Sequence, residues 1–270
     1  MAKNKGKRLT GKKSIFILLV LIFSSFGLFE FAPAQNAQID NVEIPAKIKR
    51  RTEQIITHIG YTVSYNADWK IPNWVAYELT KVEAEGEVPR YDKFMPDPEV
   101  PSENSATTKD YTKSGFDRGH LAPAADMKWS KQAMKESFYL SNICPQNRNL
   151  NSGVWNDLEA QVRELARQKG SIYVVCGPVM SRQPKTIGEN KVAVPDAFFK
   201  VLLQNQDGNW YAIAFLYENK SGKKPMSTYA MTVKEIQKIT GIDFFPSLPD
   251  RIEKKVESEV DFTKWNISNK

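Results

Sequence analysis

Two apolar, β-rich runs, residues 198–203 and 210–217, lie on either side of Asp207-Gly208, and no other segment constrains the fold as tightly. Asp-Gly is a strong turn signal, so the runs read as paired core strands. A second hairpin is expected from residues 57–65 and 74–79 around the turn-like Asn66-Ala67-Asp68-Trp69, and residues 172–176 form a short β-branched run closed by Gly177-Pro178. Helical spacing appears at Trp155, Leu158, Val162 and Leu165, with Gly170 as the stop. Thr232-Val233-Lys234-Glu235 has the form of a capping box. It predicts a helix with Val233, Ile236 and Ile239 inward and Gly241 at its end. These elements imply one α+β domain over residues 55–250, preceded by a segment at 35–54 and followed by a charged, peripheral tail at 251–270. Residues 86–115 carry Pro89, Pro96, Pro98 and Pro101 without periodicity, a loop long enough to be either functional or disordered.

The N-terminus has a different character. Lys3, Lys5, Lys7, Arg8, Lys12 and Lys13 precede an apolar run at 14–29 and then Ala32-Pro33-Ala34, the layout of a cleaved signal peptide at 1–34. The competing reading is an uncleaved anchor, which would attach the chain to a membrane by a short, tilted span. Cleavage is the favoured expectation, with a secreted, periplasmic or cell-envelope location. The chain's net charge of +7 then shrinks, because loss of 1–34 leaves 32 basic against 30 acidic residues, a net of +2. Any affinity for nucleic acid must therefore rest on locally concentrated charge. The two cysteines, Cys144 and Cys176, either pair in an oxidising compartment or stay as buried thiols, and with two histidines they cannot build a zinc site.

Asp117-Arg118-Gly119-His120 sets an acid, a guanidinium and an imidazole within four residues. Phosphodiester hydrolysis can use such groups: a neutral imidazole takes a proton from water, and arginine matches phosphate oxygens. Alone, the tetrapeptide reads as well as a salt-bridged turn. Amide side chains then crowd the stretch from Asn142-Ile143-Cys144-Pro145-Gln146 through Asn147, Asn149 and Asn151-Ser152-Gly153-Val154-Trp155, followed by Glu159. Asparagines are turn and cap residues first, yet an amide oxygen is also a hard ligand for Mg²⁺. On one regular helix Asn151 and Glu159 would stand ~12 Å apart along the axis. That spacing favours Asn151 as a direct ligand and Glu159 as a partner of metal-bound water.

Together, in this order, the two clusters resemble the DNA/RNA non-specific endonuclease family of the ββα-metal superfamily, the type of the secreted bacterial nucleases and endonuclease G. The likeness runs from about His58 to Pro249 and includes Asn73-Trp74-Val75-Ala76-Tyr77 and Gly241-Ile242. It implies a mixed fold with a central antiparallel sheet, flanking helices and a ββα-metal motif. It also implies His120 as general base, Asn151 as the direct ligand of Mg²⁺ (with Mn²⁺ or another divalent cation as the alternative), and Glu159 on metal-bound water. Arg118 and Arg90 would contact phosphate, and Asn142 would hold the active-site strands. Cys144 stands where the family usually has threonine or alanine.

Other residues have blander readings. Asp117 would orient Arg118 or cap a turn, Arg148 could bind phosphate or be solvated, Trp155 would pack, and His58 would be structural or at the surface. The expected function is a sugar-non-specific, metal-dependent endonuclease acting on DNA and RNA to leave 5′ phosphates, with no protein partner implied. The alternative is a catalytically silent nucleic-acid-binding module of the same fold. A serine hydrolase is disfavoured because no Gly-x-Ser-x-Gly elbow occurs.

Overall fold

Alternation along one strand sorts the hydrophobic core. Phe198 and Leu202 face one cluster of buried side chains while Phe199, Val201 and Leu203 face another. A sheet buried on both faces therefore divides the protein into layers. The computed structural model describes residues 39–265 and 267, all within the second of two compact units, Gln38–Lys270. The signal-peptide reading of 1–34 lies outside the described residues.

In chain order the strands are β1 (Gln54–Thr57), β2 (Thr62–Asn66), β3 (Ile71–Thr80), β4 (Asp117–His120), β5 (Ile143–Gln146), β6 (Ser171–Val179), β7 (Thr186–Ile187), β8 (Val192–Ala193), β9 (Ala197–Gln206), β10 (Asn209–Glu218) and β11 (Ala230–Met231). The helices are α1 (Lys81–Ala84), α2 (Thr108–Tyr111), α3 (Lys131–Glu136), α4 (Arg148–Asn151), α5 (Val154–Lys169), α6 (Val233–Thr240) and α7 (Asp250–Ser258). Seven strands form one antiparallel sheet in the order β1-β2-β3-β6-β9-β10-β11, and β4 pairs with β5 separately. This is the α+β domain that the residue pattern predicts, with the central antiparallel sheet and flanking helices that the family resemblance implies.

β9 and β10 meet across Asp207 and Gly208, whose φ values of 51° and 84° give the left-handed pair that a tight hairpin requires. On one face α5 buries Trp155, Leu158, Val162 and Leu165 against the sheet, as their spacing predicts. On the other, α6 buries Val233, Ile236 and Thr240, and its capping box and left-handed Gly241 form as expected. Ile239, expected inward, is exposed. Six residues on from Val233 turn the helix by ~600°, which carries Ile239 off the buried face.

Two further expectations differ from the fold, and a third, left open between two alternatives, is narrowed. The run at 57–65 is interrupted by a turn at 58–61, so it supplies the end of β1 and most of β2. The charged C-terminal segment is not peripheral, since Val256 and Trp265 are buried in the two cores and the Gln204 amide bonds to the Lys264 carbonyl. The proline-rich stretch is ordered, containing α2 and a parallel bridge between Met95 and Tyr139. Both cysteines are free and buried, and the Cys176 thiol donates to the Leu121 carbonyl at 3.1 Å.

Candidate active site

The Asp117–His120 tetrapeptide is a strand because it pairs with β5 residue for residue: Asp117 opposite Gln146, Arg118 opposite Pro145, Gly119 opposite Cys144 and His120 opposite Ile143. Four-residue strands are weak by themselves. Asn142 supplies the missing rigidity. Fully buried, it accepts a bond from the Ala122 N–H at 2.9 Å and donates to the carbonyls of Ala122 at 2.9 Å and Ser137 at 2.8 Å. The chain just beyond His120 is thereby locked to the chain just before β5. Gly119 is required by space: a Cβ there would lie 2.2 Å from Gln146 Oε1 and 2.6 Å from Gln146 Cβ.

Two phenylalanines frame the polar groups. The His120 ring stands edge-on to Phe138 at 4.9 Å and is tilted against Phe94 at 5.3 Å. The Arg118 guanidinium lies 5.3 Å from the Phe94 ring, and that of Arg90 lies 4.9 Å from Phe138. His120 keeps part of its surface exposed, while its Nε2 is enclosed without a hydrogen-bond partner among the described residues. Burial, assisted by the positive charge of Arg90, pushes the imidazole pKa down to about 3. The ring is therefore neutral at neutral pH, as a proton acceptor must be. Arg118 donates to the Thr108 carbonyl at 3.2 Å, and its Nε is buried without a partner among the described residues, leaving donors unspent.

Asp117 ties the two halves together. One carboxylate oxygen receives Arg148 Nε at 3.2 Å, and the other receives Asn151 Nδ2 at 3.2 Å. It therefore positions Asn151 and Arg148, correcting the expectation that it orients Arg118. The same bond leaves Asn151 Oδ1 without a protein partner among the described residues. Arg118, Arg148, Asn151 and Phe94 share the wall of a cavity of about 560 Å³. A hard amide oxygen beside a carboxylate is a donor set that suits Mg²⁺, which keeps most of its waters.

Glu159 has different surroundings. Asn151 lies on α4 and Glu159 on α5, with a break at Ser152-Gly153, so the single regular helix assumed from sequence does not exist. Gly153 makes the break possible, since a Cβ there would lie 2.4 Å from the Asn149 carbonyl oxygen. Glu159 is buried, with Lys200, Asp126 and Arg163 as its charged neighbours. Burial pushes its carboxyl up to about 7, Lys200 opposing and Asp126 adding to the rise. It is not among the residues that line the cavity with Asn151.

The remaining candidates are accounted for. Arg90 is an exposed side chain bonded to Asp92 at 3.0 Å. Arg148 is 81% exposed. Trp155 is a core residue in contact with Phe198 and Tyr217. His58 is structural, its Nε2 lying 2.9 Å from the buried Asp97 carboxylate. Phe94 and Phe138, which frame the site, were not anticipated; the proline-rich stretch around Phe94 shows no periodicity to mark it.

A short strand pair carrying an enclosed histidine, followed by a helix carrying a free amide oxygen, defines a class of α+β proteins with a two-strand-and-helix polar site. The chain belongs to the DNA/RNA non-specific endonuclease family, whose sequence profile it matches over residues 38–251. It is 40% identical over 207 residues to the mitochondrial nuclease EXOG of Danio rerio, covering 71% of this chain and 60% of that one. It is 33% identical over 209 residues to the mitochondrial endonuclease G of Homo sapiens, covering 72% and 70%. Among solved structures, that of the EndoG/EndoGI complex superposes with a TM-score of 0.72 at 28% identity, over 82% of this chain and 95% of that chain. The EXOG relatives are longer, and this chain spans less than two thirds of their length. These relatives overturn the expected secreted or envelope location, since they are mitochondrial nucleases by name.

Proposed function

We propose that this chain is a metal-dependent endonuclease that hydrolyses phosphodiester bonds in both DNA and RNA and leaves 5′ phosphates. The observation that carries this reading is His120, enclosed and neutral in its aromatic frame, beside a cavity that holds unspent Arg118 donors and the free Asn151 oxygen. His120, packed against Phe94 on the wall of that cavity, takes the proton of the attacking water, a role an uncharged imidazole can fill. Arg118 donates to the phosphate oxygens where negative charge accumulates, and Arg90 adds positive charge nearby. A divalent cation held by Asn151, Mg²⁺ in the first instance, supplies neutralisation of the phosphate and its leaving oxygen when bound. Glu159, which lies outside the lining of the Asn151 cavity, would bear on that ion's water shell, a role that rests on the family likeness alone. Because water is the nucleophile, the ribose 2′ hydroxyl is dispensable, which leaves both nucleic acids as substrates. The names of the relatives support a mitochondrial location, checked by fractionation of cells carrying the tagged chain.

The test is incubation of the purified protein with plasmid DNA and with RNA, each with Mg²⁺ or EDTA. Cleavage of both, abolished by EDTA, is expected. His120→Ala should lose ~10²- to 10⁴-fold in turnover while still folding. Near-normal cleavage by folded His120→Ala protein at saturating Mg²⁺ would remove the basis of the mechanism. Extra Mg²⁺ should rescue Glu159→Ala better than Asn151→Ala, and equal rescue would refute the division of roles.

A further inference from the structure

The cavity beside Asn151 is the first of three that adjoin. It shares Phe116 with a second, of about 580 Å³, whose wall includes Lys185, Asn219 and Lys220. The second shares Glu218 and Lys220 with a third, of about 450 Å³, bounded by Leu150, Tyr217, Lys224 and Tyr229. Residues common to successive cavities set the three side by side, in a row that starts at the candidate active site. Along it, and on the flank where Lys223 lies, stand seven basic and four acidic side chains. Two ion pairs lie among them, Asp117 with Arg148 and Glu218 with Lys220, which leaves five basic and two acidic side chains. The path therefore carries more basic than acidic side chains.

The loop that supplies Lys220, Lys223 and Lys224 is fastened to the segment bearing Asn151. The Asn219 side chain accepts from the Asn147 N–H at 2.7 Å and donates to the carbonyls of Pro145 at 3.1 Å and Pro195 at 2.9 Å. Asn149 Nδ2 donates to Ser221 Oγ at 2.8 Å. The start of the lysine-bearing loop, at Asn219 and Ser221, is thus tied to the helix that carries Asn151. At the far end, buried Tyr217 borders the third cavity, and its hydroxyl has no hydrogen-bond partner among the described residues, a state that buried polar groups rarely keep. A compact anion would need one such cavity. A row of them with spaced cations fits a chain whose negative charges repeat.

We propose that this row is a channel that seats the sugar–phosphate chain of the substrate on one side of the bond that is cut. Lys185, Lys223 and Lys224 lie on phosphates, and the Tyr217 hydroxyl bonds to the nucleotide furthest from that bond. The inference rests on the endonuclease reading and extends it from the reacting phosphate to the flanking strand.

The experiment measures binding of a fluorescein-labelled single-stranded 12-nucleotide DNA (about a dozen nucleotides lie within known single-strand footprints) by anisotropy, in EDTA, at several KCl concentrations. The full chain is compared with a variant carrying Lys185→Ala, Lys223→Ala and Lys224→Ala, and with Tyr217→Phe. Each phosphate contact contributes ~0.7 to the slope of log affinity against log salt on single strands, so the triple variant should lose about 2 from that slope. Tyr217→Phe should weaken binding and leave the slope unchanged. A triple variant with the slope and affinity of the unaltered protein would overturn the channel while cleavage by the unaltered protein upheld the endonuclease reading. An unaltered protein that neither binds nor cleaves nucleic acid would overturn both.

Discussion

Replacing Asn142 by aspartate changes one group of nearly identical shape, and the structure implies that it is worse than removing the side chain. In Asn142→Ala three buried hydrogen bonds are lost, to the Ala122 N–H, the Ala122 carbonyl and the Ser137 carbonyl. At about 1 kcal/mol net for each, this is ~3 kcal/mol, a large share of the stability of an ordinary domain. Aspartate keeps the acceptor but turns both donors into an oxygen that faces two carbonyl oxygens. As a carboxylate it would be buried and repelled, so it takes up a proton, and its pKa in the folded state rises above the unfolded value of ~3.9. A raised folded pKa gives stability that is present below the unfolded pKa and is lost as pH rises through the folded one. Urea unfolding followed by tryptophan fluorescence at about pH 5 and about pH 8 checks this against the wild type, within the range where such linkage is expressed. Asn142→Asp should lose stability steeply between the two, whereas Asn142→Ala should follow the wild type with a constant offset. Equal stability of the two variants at both pH values, or an aspartate variant as stable as wild type, would refute the clamp.

Gly119→Ala should lower the melting temperature by an amount equivalent to ~1–3 kcal/mol, because its Cβ meets the buried Gln146 side chain, and Gln146→Ala should restore part of the loss. The acid limb of turnover tied to His120 should lie well below the ordinary imidazole value of ~6.5, since burial and Arg90 depress its pKa to about 3, and Arg90→Ala should move that limb upward. By the same linkage the unfolded chain takes up a proton at His120 before the folded one does, so this site lowers stability as pH falls from ~6.5 towards 3. Because Cys144 and Cys176 are free, the urea midpoint should be the same with and without reductant, and a fall on reduction would reveal a bond between them.

Much of this organisation was legible in the sequence because it is local. Asp207-Gly208, the capping box at Thr232 and the spacing of Trp155, Leu158, Val162 and Leu165 each encode structure within a few residues. The Asp117–His120 strand and the Asn142 segment could be connected through the family likeness, and they pair directly. What remained hidden depends on contacts distant in sequence. Phe94 lies in a loop without periodicity and meets His120 only after that loop bridges to Tyr139. The separation of Glu159 from Asn151 follows from a helix break that spacing arithmetic could not register. The channel lysines at 220–224 read as an ordinary charged loop until Asn219 and Ser221 fasten its start to the residues before Asn151.

The support of the site has a common root in Asp97 and Asn142. Asp97 is buried in the loop that carries Phe94, and it receives bonds from His58 at 2.9 Å, Ser141 at 2.5 Å and the Glu99 N–H at 2.9 Å. Burial alone would raise its pKa, yet these bonds outweigh burial and hold the carboxyl below its ordinary range. Ser141 directly precedes Asn142, so the carboxylate that fixes the Phe94 loop also grips the segment that fixes the backbone beyond His120. The imidazole is therefore set from two directions through one buried acid that touches none of the reacting groups. Exposed Arg148, although it is bonded to Asp117 in the same strand as His120, has no comparable hold on it. Sensitivity of catalysis to substitution should follow these buried connections more closely than distance from the Asp117–His120 tetrapeptide.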